Sequence, residues 1–278
     1  MSTHFTIRYT SLPKASTETC EGREEQKSMI FLFMIPKIIH YCWFGGKEKP
    51  KSAQKCIRSW RKFFPDYEIK EWNESNFDVN MIPYTKAAYE AKKYAFVSDF
   101  ARFWVLYHYG GVYFDTDVEV IRNMDDLLAN GNFMGCEVDN IENYSVAPGL
   151  GLAVEPQHSL YKEIIEEYQK LPFYIEENKI NPFAVVRLTT QLLLNHGLIK
   201  QPGIQHIEAI TIYPPDYFNP WDDALGKLNK TSNTRSIHWY SKTWMKPEHP
   251  LTVFLKRWIR RIFGREIFIK LRNRKVSK

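Results

Sequence analysis

The sequence predicts an α/β domain built on a largely parallel sheet, and three observations carry that prediction. Residues 35–72 read strand, helix, strand within about forty residues, a βαβ unit that requires parallel neighbours. Residues 98–120 pass from a helical apolar face through a glycine pair into an alternating β-branched and aromatic stretch. Residues 158–196 hold two helical patterns, and strand-like runs follow at 206–218 and 236–240.

Taken in order, IPKIIHYCWFGG (35–46) is an apolar run closed by glycines, a buried first strand and its turn. KSAQKCIRSWRKFFP (51–65) places Cys56, Ile57, Trp60 and Phe64 on one helical stripe that Pro65 stops. YEIKEW (67–72) alternates as a strand does. Residues 83–94 and 98–109 read as helices, the second capped by Ser98 and closed by Gly110 and Gly111, with Phe100, Phe103, Trp104 and Tyr107 on its apolar face. GVYFDTDVEVI is then a strand, MDDLL a short helix and FMGCEV a further strand. One domain over 34–250 is expected. The period-free residues 1–33 are expected to form a disordered leader, a terminus pinned by partner contacts being the alternative, and 251–278 a basic tail.

The 278 residues carry a net charge of +6, yet residues 256–278 hold ten Lys or Arg against Glu266 alone, which leaves the body at −3. The body therefore has no need of a polyanion, and a nucleic-acid partner is not expected. Cys20, Cys42, Cys56 and Cys136 lack metal or disulfide spacing. No apolar run reaches the roughly 18 residues of a membrane span, and no signal-peptide cleavage pattern follows MIFLFMI (29–35).

Asp115 and Asp117 pose the chemical question. In an extended strand, residues two apart face the same way, so two like charges would be held close together and need a positive partner. At the carboxyl end of a strand such a pair is a hard-oxygen site for Mg²⁺ or Mn²⁺, ions that keep coordination positions open for water or phosphate. With 11 Asp in the chain, chance supplies about 0.4 such triplets, so two solvated carboxylates at a strand end is the competing reading.

Context separates the two. KYAFVSDFARFWVLYHYGGVYFDTDVEV joins Ser98-Asp99, Arg102, Gly110-Gly111 and the Asp-Thr-Asp triplet, and it resembles the signature of glycosyltransferase family 32 and of the catalytic domains of large clostridial glucosylating toxins. IPKIIHYCWFGG resembles that family's opening strand, and SIHWYSKTW its closing block. The resemblance implies a GT-A type, Rossmann-like nucleotide-sugar-binding domain with a mixed, mostly parallel central sheet plus added helices. It implies a metal-dependent, retaining hexosyl- or N-acetylhexosaminyltransferase using Mn²⁺ or Mg²⁺.

Carried over by residue, the resemblance makes Trp43 the platform for the donor's base, a core tryptophan being the alternative. Asp99 and Arg102 become donor contacts, against an intrahelical ion pair. Asp115 and Asp117 become the catalytic, metal-side pair, Asp115 reaching the donor's ribose or a metal-bound water and Asp117 ligating the ion directly, and Gly110 and Gly111 would let the chain approach the donor. His238 becomes a third metal ligand, or else a satisfied strand residue. Thr243 and Trp244 hold the diphosphate. This chain departs from the pattern at Tyr240, where the family has Trp, and at Thr243, where it has Ser.

The donor expected is a UDP-sugar rather than a GDP-sugar, although relatives use GDP-mannose. The acceptor is expected to be a saccharide or lipid-linked oligosaccharide in bacterial capsule, O-antigen or other surface polysaccharide synthesis. Asn143, Tyr144, Gln191, Asp216 and Trp221 are polar or aromatic candidates to contact it. LTVFLKRWIRRIF (251–263) has apolar residues at i, i+3, i+4 and i+7 with Lys256, Arg257, Arg260 and Arg261 opposite. That pattern fits an interfacial helix with rings inserted and cations against anionic headgroups, hence peripheral attachment to the cytoplasmic face of a bacterial inner membrane. A helix docked on the body is the alternative. A metal-dependent nucleotidyl- or phosphoryl-transfer enzyme is the rival function. It usually needs more acids near the metal and, in some classes, a phosphate loop of the Gly-x-x-x-x-Gly-Lys kind, absent here.

Overall fold

A computed structural model describes residues 34–177, 179–183, 185–241, 249 and 251–262. The expected leader, 1–33, lies outside the described residues.

Strand β1 (Ile38–Cys42), helix α1 (Lys51–Phe63) and strand β2 (Glu68–Trp72) form the expected unit, with β1 and β2 parallel from Ile38↔Glu68 to Cys42↔Trp72. In α1, Ala53, Cys56, Ile57 and Trp60 are buried, the i, i+3, i+4, i+7 spacing of one helical face. Helices α2 (Pro83–Glu90) and α3 (Tyr94–Tyr109) follow. α3 begins four residues earlier than Ser98 would cap it. Ser98 Oγ instead bonds the Tyr94 carbonyl within the helix, at 3.2 Å.

The expected strand over 111–121 is two. β3 (Gly111–Tyr113) pairs parallel with β1, whereas β4 (Val118–Val120) leaves the main sheet and pairs antiparallel with a distant strand. Val118 and Val120 keep the alternation of Val112 and Phe114, which is why the pattern runs through the break unmarked. The rest of the chain forms α4 (Asp125–Ala129), β5 (Asn132–Asp139), β6 (Tyr144–Val146), β7 (Leu152–Val154) and α5 (Ser159–Lys170). A hairpin the sequence did not announce, β8 (Tyr174–Glu176) and β9 (Lys179–Ile180), precedes α6 (Val185–Asn195). The run over 206–218 becomes the hairpin β10 (Gln205–Ile207) and β11 (Ile210–Tyr213) plus helix α7 (Pro215–Phe218). A small hairpin, β12 (Trp221–Asp222) and β13 (Lys227–Leu228), leads to β14 (Ser236–His238), the partner of β4.

The main sheet has the order β10-β11-β5-β7-β3-β1-β2, with β6 added beside β5. β2, β1, β3, β5 and β11 run one way; β7 and β10 are reversed. This is the mixed, mostly parallel sheet that was expected. Alternate side chains divide between its faces: Tyr113, Met134, Leu152 and Ile212 join the core under α2, α3, α5 and α6, while Ile39, Tyr41, Val112, Phe133 and Ala153 join the core under α1.

Residues 251–262 are helical, as the spacing predicts, but the cations do not face outward as expected. Arg257 pairs with Asp223 at 2.9 Å, and Arg261 donates to the carbonyls of Leu225 and Gly226, at 2.8 Å each. The basic face is docked on the β12–β13 hairpin, and the apolar face is exposed.

Candidate active site

The carboxyl ends of β1, β3 and β5 lie along one rim of the sheet, the usual ligand edge of an open α/β sheet. Trp43 follows β1 there, Asp115 and Asp117 follow β3, and Glu137 lies near the end of β5. The two aspartates sit in the turn where the chain leaves the main sheet rather than on a straight strand, so their closeness comes from that turn. β14, pairing His238 with Val118, brings the histidine in from 121 positions away.

Asp115, Asp117 and His238 each offer a ligand atom, and these atoms lie within 4.8 Å of one another. An ion bonded to oxygen at about 2.1 Å spans roughly twice that between opposite ligands, so the group fits a divalent cation. His238 Nε2 lies 3.0 Å from Asp117 Oδ1, and its Nδ1 is buried without a hydrogen-bond partner among the described residues. Two oxygens and an imidazole nitrogen suit Mg²⁺ or Mn²⁺.

The positive charge that the dyad requires is Arg102. Its Nη2 lies 2.9 Å from Asp99 Oδ1 and 3.1 Å from Asp115 Oδ1, its guanidinium stands 5.1 Å from the Tyr113 ring centroid, and it is 4% exposed. Asp99 and Arg102 form the intrahelical pair of the alternative reading, and Arg102 reaches on to Asp115. Burial pushes the Asp99 carboxyl up to about 7, with Arg102 pulling it down and Asp115 adding to the rise. Burial also raises Asp115, against Arg102 and with Asp117. Asp117 behaves oppositely. Burial would raise it, but His238 Nε2 at 3.0 Å and the Ser241 N–H and hydroxyl at 2.8 and 3.1 Å outweigh that and hold it at about 2. In return, Asp117 lifts His238 above its ordinary value despite burial.

A model for a glycosyltransferase sugar-binding region containing a DXD motif matches residues 50–134. Residues 50–134 are thus similar to a DXD-type glycosyltransferase region. It spans α1 to β5 and includes Asp99, Arg102, Asp115 and Asp117, while Trp43 and His238 flank it. Inositol phosphoceramide mannosyltransferase 3 of Schizosaccharomyces pombe is 38% identical over 101 residues, covering 34% of this chain and 27% of that protein. Inositol phosphoceramide mannosyltransferase 1 of the same yeast is 29% identical over 135 residues, covering 45% and 39%. This chain thus spans well under half the length of these relatives. Among solved structures, the PaToxG glycosyltransferase is similar at 18% identity and a TM-score of 0.43, over 62% of this chain and 76% of that one.

One expectation for the DXD region needs correction. Gly110 and Gly111 stand at the amino end of β3, opposite the dyad, and do not make room for a donor. A Cβ on Gly110 would meet Pro36 and Pro156 at 2.8 Å, and one on Gly111 would meet the Ile38 carbonyl at 2.6 Å. Both have positive φ and serve the α3–β3 turn. Buried His40 secures that turn. Its Nδ1 accepts from Trp72 Nε1, its Nε2 donates to the Gly110 carbonyl, and burial lowers it to about 4, so it is a neutral structural histidine.

Trp43 is half-buried at the site rim, its Nε1 donating to the Lys47 carbonyl at 2.6 Å. Thr243 and Trp244 lie outside the described residues. Of the acceptor candidates, Tyr144 is buried and its hydroxyl accepts from Gln205, Gln191 pairs with Asn195, and Asp216 accepts from Thr231 and Asn233, so these side chains are engaged within the protein. The Asn143 N–H bonds Asn140, and Trp221 lies beside Trp239.

Sequence reasoning missed several neighbours of the dyad. Tyr113 donates to Asp115 Oδ1 at 3.2 Å. Ser241 binds Asp117, and its place in SIHWYSKTW was the available signal. The Tyr240 hydroxyl lies 3.0 Å from both Glu137 Oε1 and Asn219 Oδ1, its ring edge-on to His238 at 4.2 Å, so the residue that departs from the family pattern braces the histidine. At Gly149 a Cβ would fall 1.9 Å from Asp115 Oδ2.

Proposed function

We propose that the protein transfers a sugar from a nucleoside-diphosphate sugar to a hydroxyl of a saccharide or lipid-linked acceptor, with a divalent cation and with retention at the anomeric carbon. The convergence of Asp115, Asp117 and His238 at the carboxyl rim, next to a matched DXD region, carries this reading. The resemblance of Trp43 to a uracil platform supports a UDP-sugar donor. The printed names of the relatives make a mannose donor the first competitor and a hexose more apt than an N-acetylhexosamine. Those names also support a lipid acceptor, reached at an anionic membrane surface. Both relatives are fungal, and nothing in them supports the bacterial polysaccharide or inner-membrane setting expected from sequence.

In this mechanism Asp115, Asp117 and His238 would hold the cation, which would supply Lewis-acid stabilisation of charge on the departing diphosphate. Arg102 and Tyr113 fix the Asp115 carboxylate, and Ser241 fixes that of Asp117, so neither has to reorganise as charge develops. Trp43, half-buried at the same rim, would stack on the donor's base.

The test is release of nucleoside diphosphate from a panel of UDP- and GDP-sugars with Mn²⁺ or Mg²⁺. One donor is expected to be turned over, with Asp117→Asn lowering the rate about 100-fold or more. Release of pyrophosphate or nucleoside monophosphate instead, or an unaffected variant, overturns the proposal.

A further inference from the structure

The helix over 251–262 is mounted contrary to its amphipathic pattern. Leu251, Phe254, Leu255, Trp258 and Ile262 are between 51% and 67% exposed and, at spacings of three, four, seven and eleven, form one stripe. The opposite face is fastened to the β12–β13 hairpin. Arg257 pairs with Asp223, donates to its carbonyl at 3.2 Å and stands 5.5 Å from the Trp221 ring centroid; Arg260 and Arg261 donate to the carbonyls of Ala224, Leu225 and Gly226. Three guanidiniums thus hold the helix on the body, and the body leaves the apolar stripe uncovered. Trp221 lies 5.3 Å from Trp239, whose backbone N–H donates to the Asp117 backbone carbonyl at 3.0 Å, so this surface adjoins the segment that carries the dyad.

We propose that this stripe inserts into an anionic lipid bilayer, with the arginines serving as a clamp to the protein rather than as headgroup ligands. An apolar stripe of this size marks a partner surface, and charge selects which one. Residues 265–278 hold Arg265, Lys270, Arg272, Arg274, Lys275 and Lys278 against Glu266 alone, so positive charge directly follows the stripe while the body is negative. A second copy of this chain would bring two such basic segments together; an anionic membrane attracts them. The inference deepens the proposed membrane partner and rests on that reading. It replaces cation-led adsorption with insertion of rings and aliphatic chains.

The test is co-sedimentation of the full chain with vesicles of phosphatidylcholine containing phosphatidylglycerol, at low and high salt. Phe254→Glu/Trp258→Glu should lower partitioning about 100-fold or more. Native protein should keep measurable binding at 0.5 M salt, about five times the ionic strength at which screening acts within ~10 Å, and brominated lipid should quench its Trp258 fluorescence. Both replaced side chains are exposed, so the variant should fold and release nucleoside diphosphate from soluble donor at the native rate. Equal vesicle binding by both forms overturns the proposal, as does native self-association through this stripe without vesicle binding. Loss of nucleotide release with vesicle binding intact would instead sink only the transferase reading.

Discussion

Replacing Arg102 by Met tests whether this guanidinium is the dyad's counter-charge or a donor contact. Methionine keeps much of the aliphatic volume and removes the charge that Asp99 and Asp115 share. Removing one partner of a buried ion pair costs about 3–5 kcal/mol, because the other is left charged and desolvated. The Asp99 side chain is 14% exposed and that of Asp115 28%, so Asp115 recovers part of its hydration and the low end, about 3 kcal/mol, is expected. With a urea slope of about 2–3 kcal/mol/M, the unfolding midpoint should fall by about 1 M or more. Asp99→Asn removes the stranded charge, so the double variant should recover about 2 kcal/mol of that loss. Turnover should fall with the stability change, since Asp115 loses its support. If Arg102→Met shifts the midpoint by less than about 0.3 M and raises only the donor KM, Arg102 binds donor and the counter-charge assignment is wrong.

Gly149→Ala should leave the fold intact, as judged by circular dichroism. It should lower nucleotide release by about tenfold or more, because the new methyl takes the place of the Asp115 carboxylate oxygen. Acid titration should expose Asp117. Its folded pKa, about 2, lies below the unfolded value near 3.9, so its contribution is full above that value and is lost as pH falls from about 4 to 2. With the side chain 16% exposed, that contribution is about 2 kcal/mol, and Asp117→Asn should flatten the stability curve in that window; an unchanged curve would refute it.

Much of the fold was legible because its signals are local. Alternation in 38–42 and 68–72 and the Cys56-Ile57-Trp60 stripe specify β1, β2 and α1 without reference to anything distant. What could not be read was decided by contacts across the chain. The break after Tyr113 is hidden because Val118 and Val120 continue the apolar period into a different sheet. Arg102 and Asp99 were legible as a helical pair three apart, but their third member depends on α3 ending beside the β3 rim. Gly149 has no local signature at all; its role is set by where Asp115 arrives. The tail shows the limit of amphipathicity: the pattern specifies two faces of a helix and is silent on which one the body takes. The β12–β13 hairpin decided it, by presenting Asp223 and a row of carbonyls to arginines.

The two aspartates differ in what restrains them, and that difference shapes what the site can do. Asp115 is held from inside by a buried, permanently charged guanidinium and a phenol, partners that do not change with pH in any working range. Asp117 is held from outside by a histidine and a serine on the segment that follows β14. His238 Nε2–H can donate to Asp117 whether the ring is charged or neutral, while the Nδ1 lone pair takes a proton or an ion but not both. Burial raises Asp99 and Asp115 although Arg102 pulls both down, and one guanidinium shared by two carboxylates leaves this rim short of positive charge. Under the proposed function, a dication would supply that charge where His238 surrenders its proton. The fixed half of the site thus sets geometry, and the titratable half lets binding exchange a proton for an ion.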